Sequence, residues 1–317
     1  MSGLICECNE NVKNLGLPNC IEKFGRPFRI TFVPLYKEDG TENFIDTSTA
    51  TLNKAFFDAL QYNDNRYARY FPVPVDMKNV NMPKGDAVYE EFDDGSKEFV
   101  RYGSRTFEAI FKGTGPAYIG KINSHRCGKL GVLITSDTLN LGGYEKSKGK
   151  LYPLPLADST LHAMFAFKSG NTNEGGALAF EFLNTVLDEK FSWISSSDIG
   201  IDLINEWKGM RDTTLEQVAA LRSTTTFTVD ITQDFGTIKT KTAVEGLVAA
   251  DFVLYNVTDA GAVTISTCVE STTVPGRYAF TFTAQTNTDI LRLSLGSTDA
   301  AKPFDDAGWE DVAIALQ

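Results

Sequence analysis

Histidine is nearly absent from this chain, with His125 and His162 the only two in 317 residues. So little imidazole leaves general acid–base chemistry and histidine-rich metal sites without their usual side chain. Cysteines stand at 6, 8, 20, 127 and 268, an odd and scattered set that argues against a disulfide framework. No stretch approaches the ~18 consecutive apolar residues of a membrane helix. The first residues, Met1 to Cys8, lack the basic start and apolar core of a signal peptide, so synthesis in the cytosol and no membrane partner are expected. Nucleophile elbow, Walker-type phosphate loop, zinc-protease helix and kinase signature are all missing. The chain therefore reads as a non-enzyme that needs no cofactor.

Positive charge is also scarce. The net charge is −11, and residues 225–317 hold twelve Asp/Glu against five Lys/Arg. Such a surface repels a phosphate backbone and gains nothing from counterion release, which argues against sequence-specific nucleic-acid binding. Repulsion still suits a conduit, whose walls must not hold what slides past them. One stretch runs the other way, with Lys121, His125, Arg126 and Lys129 followed by Lys146, Lys148 and Lys150. It lacks interleaved aromatics, and contact with an acidic neighbouring subunit explains it as well as any nucleic acid.

What is abundant is two-residue alternation. Residues 225–231, 251–257, 276–283 and 289–295 each alternate apolar with polar side chains, the period of a half-buried strand. Asp259-Ala260-Gly261 and Val274-Pro275-Gly276 supply turns between them, which predicts an antiparallel meander or Greek key. Upstream, residues 27–35 predict a first strand, and the spacing of Leu52, Ala55, Phe56, Ala59 and Leu60 predicts a short helix within 49–68 capped by Thr49 or Thr51. Three prolines and little periodicity predict a long loop over 72–85. Residues 87–112 predict three strands joined by tight turns at Asp94-Gly95 and Gly103, glycines that supply positive φ. Later strands are expected near 130–136, 161–168, 178–184 and 199–204, and a second helix over 213–222. The chain thus divides into an arm (1–25), a β-rich domain (26–223) and a terminal β-sandwich (224–317). Gly113-Thr114-Gly115-Pro116, the nearest approach to a phosphate loop, reads as an inter-strand connection.

Few clusters could carry chemistry. Cys6, Cys8 and Cys20 could hold zinc with His125 or Cys127 as a fourth ligand, although Cys-x-Cys is not the usual spacing and free thiols are the simpler reading. Residues 305–311, with Asp305, Asp306, Glu310 and Asp311, could hold calcium or simply form an oxygen-rich loop. A hydrolase would have to draw on Glu90, Glu91, Asp305 and Asp306, and adjacent carboxylates on a strand point to opposite faces. Aromatics at Tyr62, Tyr67, Tyr70 and Phe71 suit a core or a subunit interface, and a carbohydrate-stacking platform is the alternative.

The early helix, the proline-containing loop, the hairpin strands from Tyr89 to Lys112, the acidic Leu187-Asp188-Glu189-Lys190-Phe191 turn and the appended sandwich together resemble the tail-tube, or major tail, proteins and tail-ring proteins of bacteriophages. The spacing Cys6-Glu7-Cys8 to Gly16-Leu17-Pro18-Asn19-Cys20 is similar to virion proteins of phages of Bacteroidota. The resemblance implies a mainly β fold: a β-sandwich or barrel-like tube domain with short flanking helices, followed by a C-terminal immunoglobulin-like β-sandwich. It implies a virion structural protein located in the tail, self-assembling into stacked homo-oligomeric rings, with neighbouring tail proteins as partners and DNA passing non-specifically through an acidic lumen during ejection. Residues 72–85 would then be an inter-ring loop, 89–112 a tube-forming hairpin and 227–316 an outward module. The expected interface comprises Tyr70, Phe71, Pro72, Val73, Pro74 and Val75 in the loop, with Tyr89, Phe92, Phe99, Tyr102 and Phe107 in the hairpin strands. A carbohydrate- or receptor-binding sandwich module remains the alternative function.

Overall fold

The structure, a computed structural model, describes residues 23–63, 65–170, 173–184, 188–233, 241–295, 304–306 and 312–316. Cys6, Cys8 and Cys20 lie outside these, as do nearly all of the expected arm and residues 307–311 of the acidic loop. Strands make up 48% and helices 10%, so the fold is mainly β.

A central antiparallel sheet runs in the order Ile45–Asp46, Lys150–Tyr152, Leu141–Ser147, Leu130–Ser136, Pro27–Pro34, Phe71–Pro72. Its strand Leu130–Ser136 is buried along its whole length. That is why it reads as a near-continuous apolar run: both of its faces are covered. On one face Ile30, Phe32, Val132 and Ile134 pack against Phe107, Phe111, Leu178 and Phe180 of a second sheet, ordered His162–Ala166, Gly175–Glu181, Thr106–Lys112, Met77–Asn81. On the other face Val33, Leu133, Leu141 and Leu151 meet Phe57 and Trp207. Phe57 belongs to helix α1, Lys54–Gln61, and its ring meets Trp207 edge-on at 5.1 Å.

The last part of the chain builds its own core. Phe227, Val229, Ile231, Phe280 and Tyr278 from one sheet face Leu254, Leu291 and Leu293 from another. All four alternating segments are strands, at Thr226–Gln233, Phe252–Asn256, Arg277–Phe282 and Ile290–Leu295. Phe304–Asp306 pairs in parallel with Arg211–Arg222 at the edge of the first of these sheets.

Several local expectations change. Residues 213–222 are not a helix but most of the strand Arg211–Arg222, paired with Thr226–Gln233; the tertiary partner overrides good helix formers such as Leu215, Glu216 and Ala219. Conversely, Gly113 to Gly120 does not end in a strand: helix α2, Pro116–Ser124, starts there with Pro116 in its first turn. Asn53, not Thr49 or Thr51, caps α1 by accepting from the Phe56 amide at 3.1 Å. The loop over 72–85 contains the strand Met77–Asn81, and residues 199–204 form irregular chain and a turn instead of a strand. The expected three-stranded meander is divided: Thr106–Lys112 leaves for the second sheet, and Val88–Glu91 pairs with Lys97–Arg101 alone.

Candidate functional site

That division leaves a hairpin that no other strand joins among the described residues. Every residue of its two strands is exposed. Its turn follows from sequence: Gly95 takes φ 79°, its amide donates to the Phe92 carbonyl at 2.8 Å, and the Phe92 amide donates to the Ser96 carbonyl at 2.9 Å. The Ser96 amide donates to Asp94 Oδ1 at 2.8 Å. Bonds from Ser96 hold the Asp94 carboxyl below its ordinary range, so the tip stays anionic. At the foot, the Gly85 amide donates to the Ser104 carbonyl at 2.8 Å. Gly103 lacks the positive φ expected of it; a Cβ there would lie 2.0 Å from the Gly85 carbonyl oxygen, so close approach is what requires glycine. Asp188 ties the same region down through Lys84 at 2.8 Å and Arg105 at 2.9 Å, and these cations hold its carboxyl below the usual range.

Register sorts the hairpin into two unlike faces. Tyr89 stands opposite Phe99 and Glu91 opposite Lys97 on one side. There the Tyr89 and Phe99 rings lie 5.9 Å apart and Phe99 and Tyr102 4.8 Å apart, all edge-on. Glu90 stands directly opposite Glu98 on the other side. Like charges in that position repel.

The expected interface residues therefore separate. Tyr89, Phe92, Phe99 and Tyr102 come together on the hairpin and are 43–55% exposed. Tyr70, Pro72, Val73 and Phe107 are buried in their own chain, so they hold the fold and offer no surface to a partner. Phe71 and Val75 are half-buried, and Pro74 is exposed.

A cleft of about 1140 Å³ is the second feature, formed where the end of α1, residues 66–74, α2 and the following turn meet the start of the strand Arg211–Arg222. It exceeds the ~300–1,000 Å³ typical of small-molecule sites. Eight Lys/Arg side chains line it against four carboxylates, and Lys54 and Lys129 pair with Asp58 and Asp158 just outside it. In a chain of net charge −11 the cleft keeps a modest excess of positive charge. Arg66 and Arg69 converge on Asp305 at 2.9 and 2.6 Å, all three side chains at most 13% exposed. Thr213 Oγ1 donates to the Asp305 carbonyl at 2.9 Å, and Arg69 Nε donates to the Asn63 carbonyl at 2.6 Å. Lys121 pairs with Asp212 at 3.1 Å. Lys37 and Lys208 are exposed, and neither forms an ion pair with a described residue. His125 lies between the Phe32 ring, at 6.1 Å, and the Phe71 ring, at 4.9 Å. Burial pushes its pKa down, and nearby Asp212 opposes the shift. Burial likewise pushes the neighbouring Tyr118 hydroxyl up.

The carboxylates expected of a hydrolase do not all come together among the described residues. Glu90 and Glu91 sit on the hairpin and line no part of the cleft that holds Asp305. Two guanidiniums already occupy the Asp305 carboxylate, which argues against calcium at that side chain. Among the described residues, no three His, Cys, Asp or Glu side chains stand close enough to hold a metal. The basic stretch from Lys121 to Lys129 was visible in sequence, whereas Arg66, Arg69, Lys208 and Arg211 are drawn in from distant segments without a local signal. No protein-family model matches the chain, and no curated protein matches it in sequence.

Proposed function

We propose that this chain is a self-assembling structural subunit, of the kind that builds the tail tube or tail rings of a bacteriophage, with copies of itself as principal partners. The observation that carries this reading is the hairpin at 88–101, exposed on both faces and bearing Tyr89, Phe92, Phe99 and Tyr102. An isolated two-stranded hairpin is marginal in water, and aromatic rings of this kind are enriched at protein interfaces. Contact with a neighbouring copy would cover them. The acidic character of the whole chain accords with a conduit that DNA crosses without binding, and the terminal sandwich would lie outward.

Sedimentation velocity on the full chain tests the reading, with Phe99→Asp as the variant. The wild type should sediment as a closed oligomer at micromolar concentration. Phe99→Asp should raise the concentration needed by at least about tenfold, with far-ultraviolet circular dichroism unchanged. A wild type that stays monomeric would remove the proposal.

A further inference from the structure

The hairpin and the cleft share no residue, yet they are opposite in charge. Residues 86–101 carry six carboxylates against two cations, whereas the cleft carries eight cations against four lining carboxylates, with Asp58 and Asp158 pairing two of those cations from just outside it. Glu90 and Glu98 face one another across the hairpin without an ion-pair partner among the described residues. Lys37 and Lys208 stand exposed in the cleft and form no ion pair with a described residue, although the Lys37 charge is felt by Asp39. Each surface thus carries a cost that the other relieves: repulsion between two glutamates, and excess positive charge gathered in one concavity. The cleft's size favours an element of chain over a small ligand. Tyr36 and Tyr67, 47% and 48% exposed, give it aromatic surface that suits a tip bearing Phe92.

We propose that the hairpin of one copy docks in the cationic cleft of the next, Glu90 and Glu98 meeting Lys37 and Lys208. This rests on the self-assembly reading above and names the neighbour's surface. Because the two patches differ, the contact is heterologous and runs head to tail. Repetition closes a ring where the rotation permits and extends a filament where it does not. Basic residues in a chain otherwise acidic thereby acquire a partner from the same chain.

Charge reversal followed by recombination tests it. One variant carries Glu90→Lys with Glu98→Lys, a second carries Lys37→Glu with Lys208→Glu, and a third carries all four changes. All four positions are exposed, and thermal melts check that each variant folds. Each two-site variant alone should need at least about tenfold more protein to assemble in sedimentation velocity. The four-site variant should recover, as should a mixture of the two two-site variants. If the wild type assembles and the two-site variants match it, or the four-site variant fails to recover, the docking is wrong while self-assembly stands. If chelator abolishes wild-type assembly and cleft reversal leaves it unaltered, Glu90 and Glu98 hold a divalent cation instead, and the docking is again wrong. A monomeric wild type refutes both readings together.

Discussion

Two guanidiniums share one carboxylate at Asp305, so the loss of that side chain leaves like charges facing each other with little solvent to screen them. Asp305→Ala should cost roughly 3–5 kcal/mol, the usual penalty for breaking a buried pair, read as a lower urea midpoint. Adding Arg69→Met should return part of that loss, because the removed charge no longer needs a partner. His125 makes a second prediction. Its folded pKa lies below the ordinary 6.5, so as pH falls below that value the unfolded chain gains a proton that the folded chain refuses. Stability is therefore lost progressively as pH falls below about 6.5. His125→Phe keeps a ring against Phe32 and Phe71, and the fall in melting temperature below that pH should flatten. An unchanged slope would assign it to other groups. Neither environment could be read from sequence: His125 was visible only as a rare residue in a basic stretch, and the partners of Asp305 lie 236 and 239 positions away in the chain.

At the scale of the element, the hairpin depends on a pinched foot. Gly103→Ala would drive a methyl group into the Gly85 carbonyl, which forces the two legs apart and loosens the anchorage through Ser104. Amide exchange over 88–101 should rise by about tenfold or more while the core strand Leu130–Ser136 keeps its protection. Uniform exchange in both proteins would show that the pinch is dispensable. The turn itself was legible, because Asp94-Gly95 carries its own conformational preference. What the hairpin pairs with was not, since alternation marks a strand but leaves its neighbour open. Residues 213–222 show the converse: Leu215, Glu216 and Ala219 favour a helix locally, and the register with Thr226–Gln233 decides otherwise. α2 was missed for a related reason, because Gly113 and Gly115 mask a start that Pro116 announces.

At the scale of the molecule, buried and exposed aromatics separate. Aromatics expected at an interface fill the core where they pack against the sheets, as Tyr70 and Phe107 do, and remain exposed on the isolated hairpin, as Tyr89 and Phe99 do. Composition could not divide them, since Phe107 and Phe99 both stand in strands beside charged residues. The mainly β class was legible because period-two patterning spans most of the chain. The sandwiching of one sheet between two apolar layers showed only as the unbroken run in Leu130–Ser136. Net charge gave the overall sign, and folding placed eight of the 30 Lys/Arg around one cleft. The measurement that bears most directly on the central claim is sedimentation velocity of the purified full chain across a hundredfold range of concentration. Self-assembly predicts a boundary that moves from a monomer of 34.8 kDa to one discrete larger species. A single monomer boundary at every concentration would contradict it.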